Sequence, residues 1–126
     1  MKSKFLGLVV LVCLLTLVFV SCGDGGKSAY YGTWAIETIR YEISANKITM
    51  MSNSGEDYST LENLTWLPID NDNNRLAVNY PKGFQISGTY TASSIPSNVG
   101  NTQRRTFYLH NNKRLIFYSG NEYRKQ

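Results

Sequence analysis

Apolar and polar residues alternate along most of this chain beyond about residue 30, and this alternation limits the folds that it can adopt. A single polar residue separates Phe84 from Ile86, and Phe107 and Leu109 repeat this spacing nearer the C-terminus. A period of two residues is typical of strands that bury one face. The segment 57–67 is the nearest to a helical pattern, and a short helix is the alternative for it.

Turn-forming residues interrupt this pattern at short intervals. Asn, Asp and Gly cluster between the alternating segments, and they suit the positive φ angles of tight hairpins. The longest such loop is 93–102. The predicted strands are 31–37, 38–44, 48–52, 58–67, 75–80, 84–92, 103–110, 114–119 and 122–125. A meander of this kind closes into a barrel or folds into a sandwich, and we predict an all-β, small antiparallel up-and-down β-barrel of eight to nine short strands.

The N-terminal residues predict an export signal. Lys2 and Lys4 precede an apolar run over 5–20, which is too short for a comfortable membrane span and has the form of a secretory signal. The run ends at Ser21 and Cys22, in a pattern that resembles the bacterial lipobox. We therefore expect residues 1–21 to be a lipoprotein signal peptide. Residues 22–29 would be the lipidated Cys22 and a flexible tether, and 30–126 the β-barrel domain.

The residue types that carry most chemistry are scarce beyond the signal segment. His110 is the one histidine of the chain, and Cys22, the one cysteine left after cleavage, would be blocked by lipid. We see no catalytic set, no metal-ligand spacing and no cofactor motif, so we expect a protein that is not an enzyme. Nucleic acid is not an expected partner for an exported protein.

Two residues near the start of the barrel domain and one near its end carry a family resemblance. Gly32 and Trp34 open the first predicted strand, and Arg124 lies in the last. This arrangement resembles the calycins, which include the lipocalins. The resemblance implies a structural plug, in which Trp34 closes one end of the barrel and a basic side chain, Arg124 or Lys125, stacks on the indole.

The domain also resembles small exported lipoproteins of spirochaetes. The shared features are a Tyr-Pro-x-Gly-aromatic step at 80–84, a Phe-Tyr-Leu-His strand at 107–110 and a closing Gly-Asn-x-Tyr at 120–123. This resemblance implies a location in the bacterial cell envelope, in the outer membrane rather than the inner one. The protein would be attached to that membrane through lipidated Cys22. It implies no activity.

Basic and aromatic residues of the last strands suggest one interaction patch. Its predicted members are Arg104, Arg105, Lys113, Arg114, Tyr118 and Lys125. An eight-stranded barrel either fills its interior with side chains or holds one small ligand. Inward Phe84, Tyr90, Phe107 and Phe117 would fill it. We therefore expect a non-catalytic binding role through the barrel surface or rim loops, towards an unknown protein partner. The alternative is a lipocalin-like carrier or sensor of a small apolar ligand inside the barrel.

Overall fold

The computed structural model describes residues 25–126, in which eight antiparallel strands close into one barrel. The strands are β1 (Gly32–Ala35), β2 (Ile39–Ile43), β3 (Lys47–Ser52), β4 (Tyr58–Asp70), β5 (Lys82–Ser93), β6 (Thr102–Leu109), β7 (Leu115–Tyr118) and β8 (Asn121–Lys125). Three short 3₁₀ helices accompany them, η1 (Lys27–Tyr30), η2 (Leu76–Val78) and η3 (Pro96–Asn98). The predicted all-β up-and-down barrel is confirmed. The predicted signal peptide and Cys22 lie outside the described residues.

Each strand pairs with its neighbours in sequence, and β8 closes the barrel by pairing with β1. Trp34 lies opposite Lys125, and Ala35 lies opposite Arg124. Every strand thus has a neighbour on both sides, although residues 102–107 of β6 pair only with β5. Because every strand has both of its partners within residues 32–125, this part of the chain needs no strand from elsewhere and is a self-contained folding unit.

The up-and-down order places the connections at two opposite ends of the barrel. We call the end where the chain enters β1 the lower end, and the opposite end the upper end. The lower end holds η1 and the connections 44–46, 71–81 and 110–114. The upper end holds the connections 36–38, 53–57, 94–101 and 119–120.

A β-bulge interrupts the pairing of β4 with β5. The register between these strands shifts between Glu62 and Thr65, and Asn63 adopts a positive φ of 55°. Gly88 on β5 makes room for this bulge, because a Cβ there would lie 2.7 Å from Cδ2 of Leu64 and 2.9 Å from the carbonyl oxygen of Glu62. A glycine at a bulge permits such close backbone approach.

Side chains fill the middle and lower parts of the barrel. The largest fully buried ones are Trp34, Phe107, Ile48, Leu61, Ile86 and Ile116. At the lower end, Tyr30 of η1 lies beneath them, with its ring edge-on to Phe84 at 5.2 Å between centroids. These side chains belong to one hydrophobic core cluster.

One predicted strand, 75–80, is wrong, because this segment begins with the η2 turn. Oδ1 of Asn73 accepts hydrogen bonds from the backbone N–H groups of Arg75 and Leu76. The carbonyl oxygen of Leu76 then accepts from the N–H of Tyr80 at 2.9 Å. Asparagine side chains compete with strand pairing in this way. The helix alternative for 57–67 is also wrong, since these residues lie almost entirely in β4.

The connection 71–81 packs on the outside of the barrel. Tyr80 is buried there, with its ring 5.0 Å from that of His110 and 5.8 Å from that of Phe117. Phe117 therefore faces outwards, contrary to our expectation, and Ile116 takes the inward position on β7. Nδ1 of His110 accepts a hydrogen bond from the N–H of Asn112. These contacts give His110 a structural role.

Candidate functional site

Trp34 anchors the lower part of the core. Its side chain is fully buried, and Nε1 donates a hydrogen bond of 2.8 Å to the carbonyl oxygen of Tyr30. Nζ of Lys125 lies 5.4 Å from the centroid of the indole ring. Gly32 has a φ of 132°, and a Cβ there would lie 3.2 Å from Cε of Lys125. The small residue thus lets the lysine reach across to the indole.

The structure places Lys125, not Arg124, over Trp34. Arg124 pairs with Ala35 on one side and with Leu115 on the other, and it is exposed. Successive strand residues point to opposite faces, so only one of two adjacent basic residues reaches the indole. Lys125 lies directly opposite Trp34 and so takes this position.

The predicted basic and aromatic patch does not form one surface. Arg104 is exposed on β6, whereas Arg105 is buried and its guanidinium lies against the core ring of Tyr41. Tyr118 points inwards and stacks on Phe107, with 4.5 Å between ring centroids. The exposed Lys113, Arg114 and Lys125 are at the lower end, where the N–H of Lys125 donates to the carbonyl oxygen of Arg114. Strand alternation separates residues that are neighbours in sequence.

A pocket of about 340 Å³ opens at the upper end of the barrel. This volume is at the small end of the range for ligand sites. Arg105 lines it together with apolar and hydroxyl-bearing side chains. Those other lining residues include Ile39, Met50, Tyr58, Ser59, Tyr90 and Ile95. We call this cavity the upper pocket.

Arg105 is the unusual member of the upper pocket. Its side chain is only 6% exposed, although arginine is rarely buried without a charged partner. Cζ lies 5.7 Å from the ring centroid of Tyr41 and 5.9 Å from that of Tyr90, so two aromatic rings hold the guanidinium. Nη2 donates a hydrogen bond of 3.2 Å to Oγ of Ser59 on β4.

Apart from this bond to Ser59, the N–H donors of the Arg105 guanidinium lack hydrogen-bond acceptors in the described structure. Nη1 is buried and has no hydrogen-bond partner among residues 25–126. Asp57 also lines the upper pocket, but this carboxylate is exposed, and no ion pair joins it to Arg105 in the described structure. A buried charge without a partner is costly for a folded protein. This site can therefore accept an anion.

The tyrosine beside Arg105 shows the same low-dielectric surroundings. Burial raises the pKa of the Tyr41 hydroxyl well above its usual value, and the positive charge of Arg105 offsets part of this rise. The phenol therefore stays neutral over the physiological range and acts as an aromatic wall next to the charge.

Two exposed apolar side chains, Tyr58 and Ile95, line the upper pocket, and two more, Met51 and Val99, lie near them in the strand pairing and the loop. Met51 and Tyr58 are cross-strand partners, 40% and 41% exposed, and the N–H of Ser94 donates to the carbonyl oxygen of Tyr58. That hydrogen bond joins the strand edge to the loop that carries Ile95 and Val99, which are 57% and 49% exposed. We call Met51, Tyr58, Ile95 and Val99 the rim patch. Clustered exposed apolar residues mark interaction sites.

A larger groove of about 570 Å³ lies at the lower end, between η1, the start of β5 and the end of β6. Its basic members, Lys82 and Lys113, are exposed, and Tyr30 at its base donates its hydroxyl to the carbonyl oxygen of Lys82. This groove contains no buried charge, so the upper pocket is the stronger candidate site.

Within residues 25–126, no group of three or more His, Cys, Asp or Glu residues could hold a metal ion. No helix in this described part has the length and apolar character that crossing a membrane requires. No family model, no curated protein and no solved structure matches this chain.

Proposed function

We propose that this chain is a lipid-anchored protein of the bacterial cell envelope with a non-catalytic role, and that it recognises a protein partner through the rim patch. The observation that carries this proposal is the contrast between the two ends of the barrel. Side chains fill the interior from the lower end to the middle, and the rim patch lies at the upper end, where two of its members, Tyr58 and Ile95, line the upper pocket.

The filled interior argues against a carrier role. Phe107, Ile86 and Trp34 occupy the space that a hollow barrel would leave for a ligand. The Trp34–Lys125 stack at the lower end supports the calycin-like reading of the fold, since the buried indole and the basic residue from the last strand are both in place. Core side chains thus occupy the space in which a carrier would hold its ligand.

The predicted anchor would orient the rim patch away from the membrane. Gly25 lines the groove at the lower end, only three residues after Cys22. A lipid on Cys22 would therefore hold the lower end near the bilayer, in the outer membrane on this proposal. The upper end would then face potential partners in solution.

Site-specific photocrosslinking tests this proposal. The full chain would be expressed in the bacterium that it comes from, with a photoreactive amino acid in place of Ile95. Illumination is expected to give one discrete adduct with another protein. The matched control is the same residue at Val78, which is 70% exposed at the lower end. An excess of soluble residues 23–126 added to isolated envelopes should compete for the Ile95 adduct. An adduct that forms equally at Val78, or no adduct at Ile95, would contradict recognition through the rim patch.

A further inference from the structure

We infer that the upper pocket binds a single carboxylate carried on a short apolar stem, with Arg105 as the group that holds it. This inference rests on the proposed function, because it names the group that a partner would present at the rim patch. It concerns the floor of the pocket, whereas the proposed function concerns the exposed residues around its mouth.

The charge balance of the site supports an anion. A guanidinium carries five N–H donors, and the described structure satisfies Arg105 with one hydrogen bond, to Ser59. Nη1 is buried without a partner, and no described carboxylate pairs with the charge. A bound anion would supply both the missing acceptor and the missing charge.

The shape and charge of the upper pocket favour a carboxylate over a more highly charged group. Arg105 is its one basic lining residue in the described chain, so it neutralises one negative charge. Asp57 at the mouth would repel a dianion such as phosphate. A planar guanidinium fork matches a carboxylate in two parallel hydrogen bonds. Ile39 and Met50 on the walls suit an apolar stem behind that carboxylate.

The two tyrosine rings explain why Arg105 is positioned for this task. Tyr41 and Tyr90 both contact the guanidinium with their rings. Such contacts hold a cation in place without neutralising it. The site is thus organised around a fixed positive charge whose acceptor is missing, which is the arrangement that an anion-binding pocket requires.

Titration with hexanoate tests the carboxylate site directly. Soluble residues 23–126, which contain the whole closed barrel, would be titrated and followed by nuclear magnetic resonance at the side-chain N–H of Arg105 and the backbone of β6. We expect saturable shifts, and we expect the neutral probe 1-hexanol not to shift the Arg105 signal. Arg105→Met should weaken hexanoate binding by about 10- to 100-fold, the loss of one charged hydrogen-bonding partner.

Arg104→Met is the matched control, because Arg104 is the exposed neighbour on the same strand and should leave the affinity unchanged. The melting temperature of Arg105→Met should stay level or rise, since the variant removes a buried unpaired charge. A folded Arg105→Met variant that binds hexanoate as tightly as the wild type would overturn the inference. A wild-type protein without saturable shifts would overturn it as well.

Crosslinking at Ile95 identifies the source of the carboxylate. If a partner protein presents it, Arg105→Met weakens the Ile95 adduct and Arg104→Met does not. If the adduct persists in Arg105→Met while hexanoate binds the wild type, the carboxylate belongs to a free acid. An adduct without hexanoate binding overturns the carboxylate site alone. Hexanoate binding without an adduct overturns the rim proposal alone.

Discussion

Replacing Trp34 by alanine is expected to lower the free energy of unfolding by about 3–5 kcal/mol. The side chain is fully buried, so the change leaves a large cavity in the core cluster that also contains Phe107 and Ile48. It also removes the hydrogen bond to the carbonyl oxygen of Tyr30 and the ring beneath Lys125. Urea denaturation of residues 23–126, followed by circular dichroism, measures this loss.

The second tryptophan provides the matched control for this prediction. Trp66 lies at the lower end, is half-buried and donates its Nε1 hydrogen to the carbonyl oxygen of Ala45. Because part of its ring already meets solvent, Trp66→Ala should cost clearly less than Trp34→Ala. A loss below about 1 kcal/mol for Trp34→Ala would contradict the plug assignment.

The barrel should lose stability steeply in alkali. Burial raises the pKa of Tyr30 to about 12, and burial also raises the pKa of Tyr41. A free tyrosine ionises near pH 10, so above that pH the unfolded chain releases protons that the folded chain retains. Stability is therefore fully present below about pH 10 and declines above it. Each of the two groups contributes a slope of about 1.4 kcal/mol per pH unit.

Denaturation midpoints between pH 9 and pH 12 would measure this decline. Tyr30→Phe should reduce the slope of stability against pH by the contribution of one tyrosine, because phenylalanine cannot ionise. The replacement keeps the buried ring, and the hydrogen bond that it removes between the Tyr30 hydroxyl and the carbonyl oxygen of Lys82 is long, at 3.5 Å. Stability that stays constant up to pH 12, or an unchanged slope in Tyr30→Phe, would contradict burial of these phenols in a stable core.

The alternating pattern predicted most of this fold because strand periodicity is a local signal. Phe84 and Ile86 are inward, as their spacing indicates, and each predicted strand other than 75–80 corresponds to a real one. The error at 75–80 arose because the Asn73 side chain accepts hydrogen bonds from the backbone N–H groups of Arg75 and Leu76, and this local turn outweighs the β preference of a short apolar run.

The candidate site was harder to predict, although its signal was present. Arg105 lies two residues before Phe107 on β6, so strand alternation puts the two side chains on the same, inward face. The sequence pattern therefore already indicated a charged residue inside the barrel. The isolation of its charge could not be predicted, because it depends on the residues that other strands bring near. Ser59 lies 46 positions away and is the one described side chain that accepts a hydrogen bond from this guanidinium.

Native mass spectrometry of residues 23–126, before and after organic extraction, tests the central claim that side chains fill the barrel interior. We expect the mass of the polypeptide alone in both measurements, because side chains occupy the interior. One extractable apolar molecule per chain would contradict this account and would indicate a carrier with a hollow barrel.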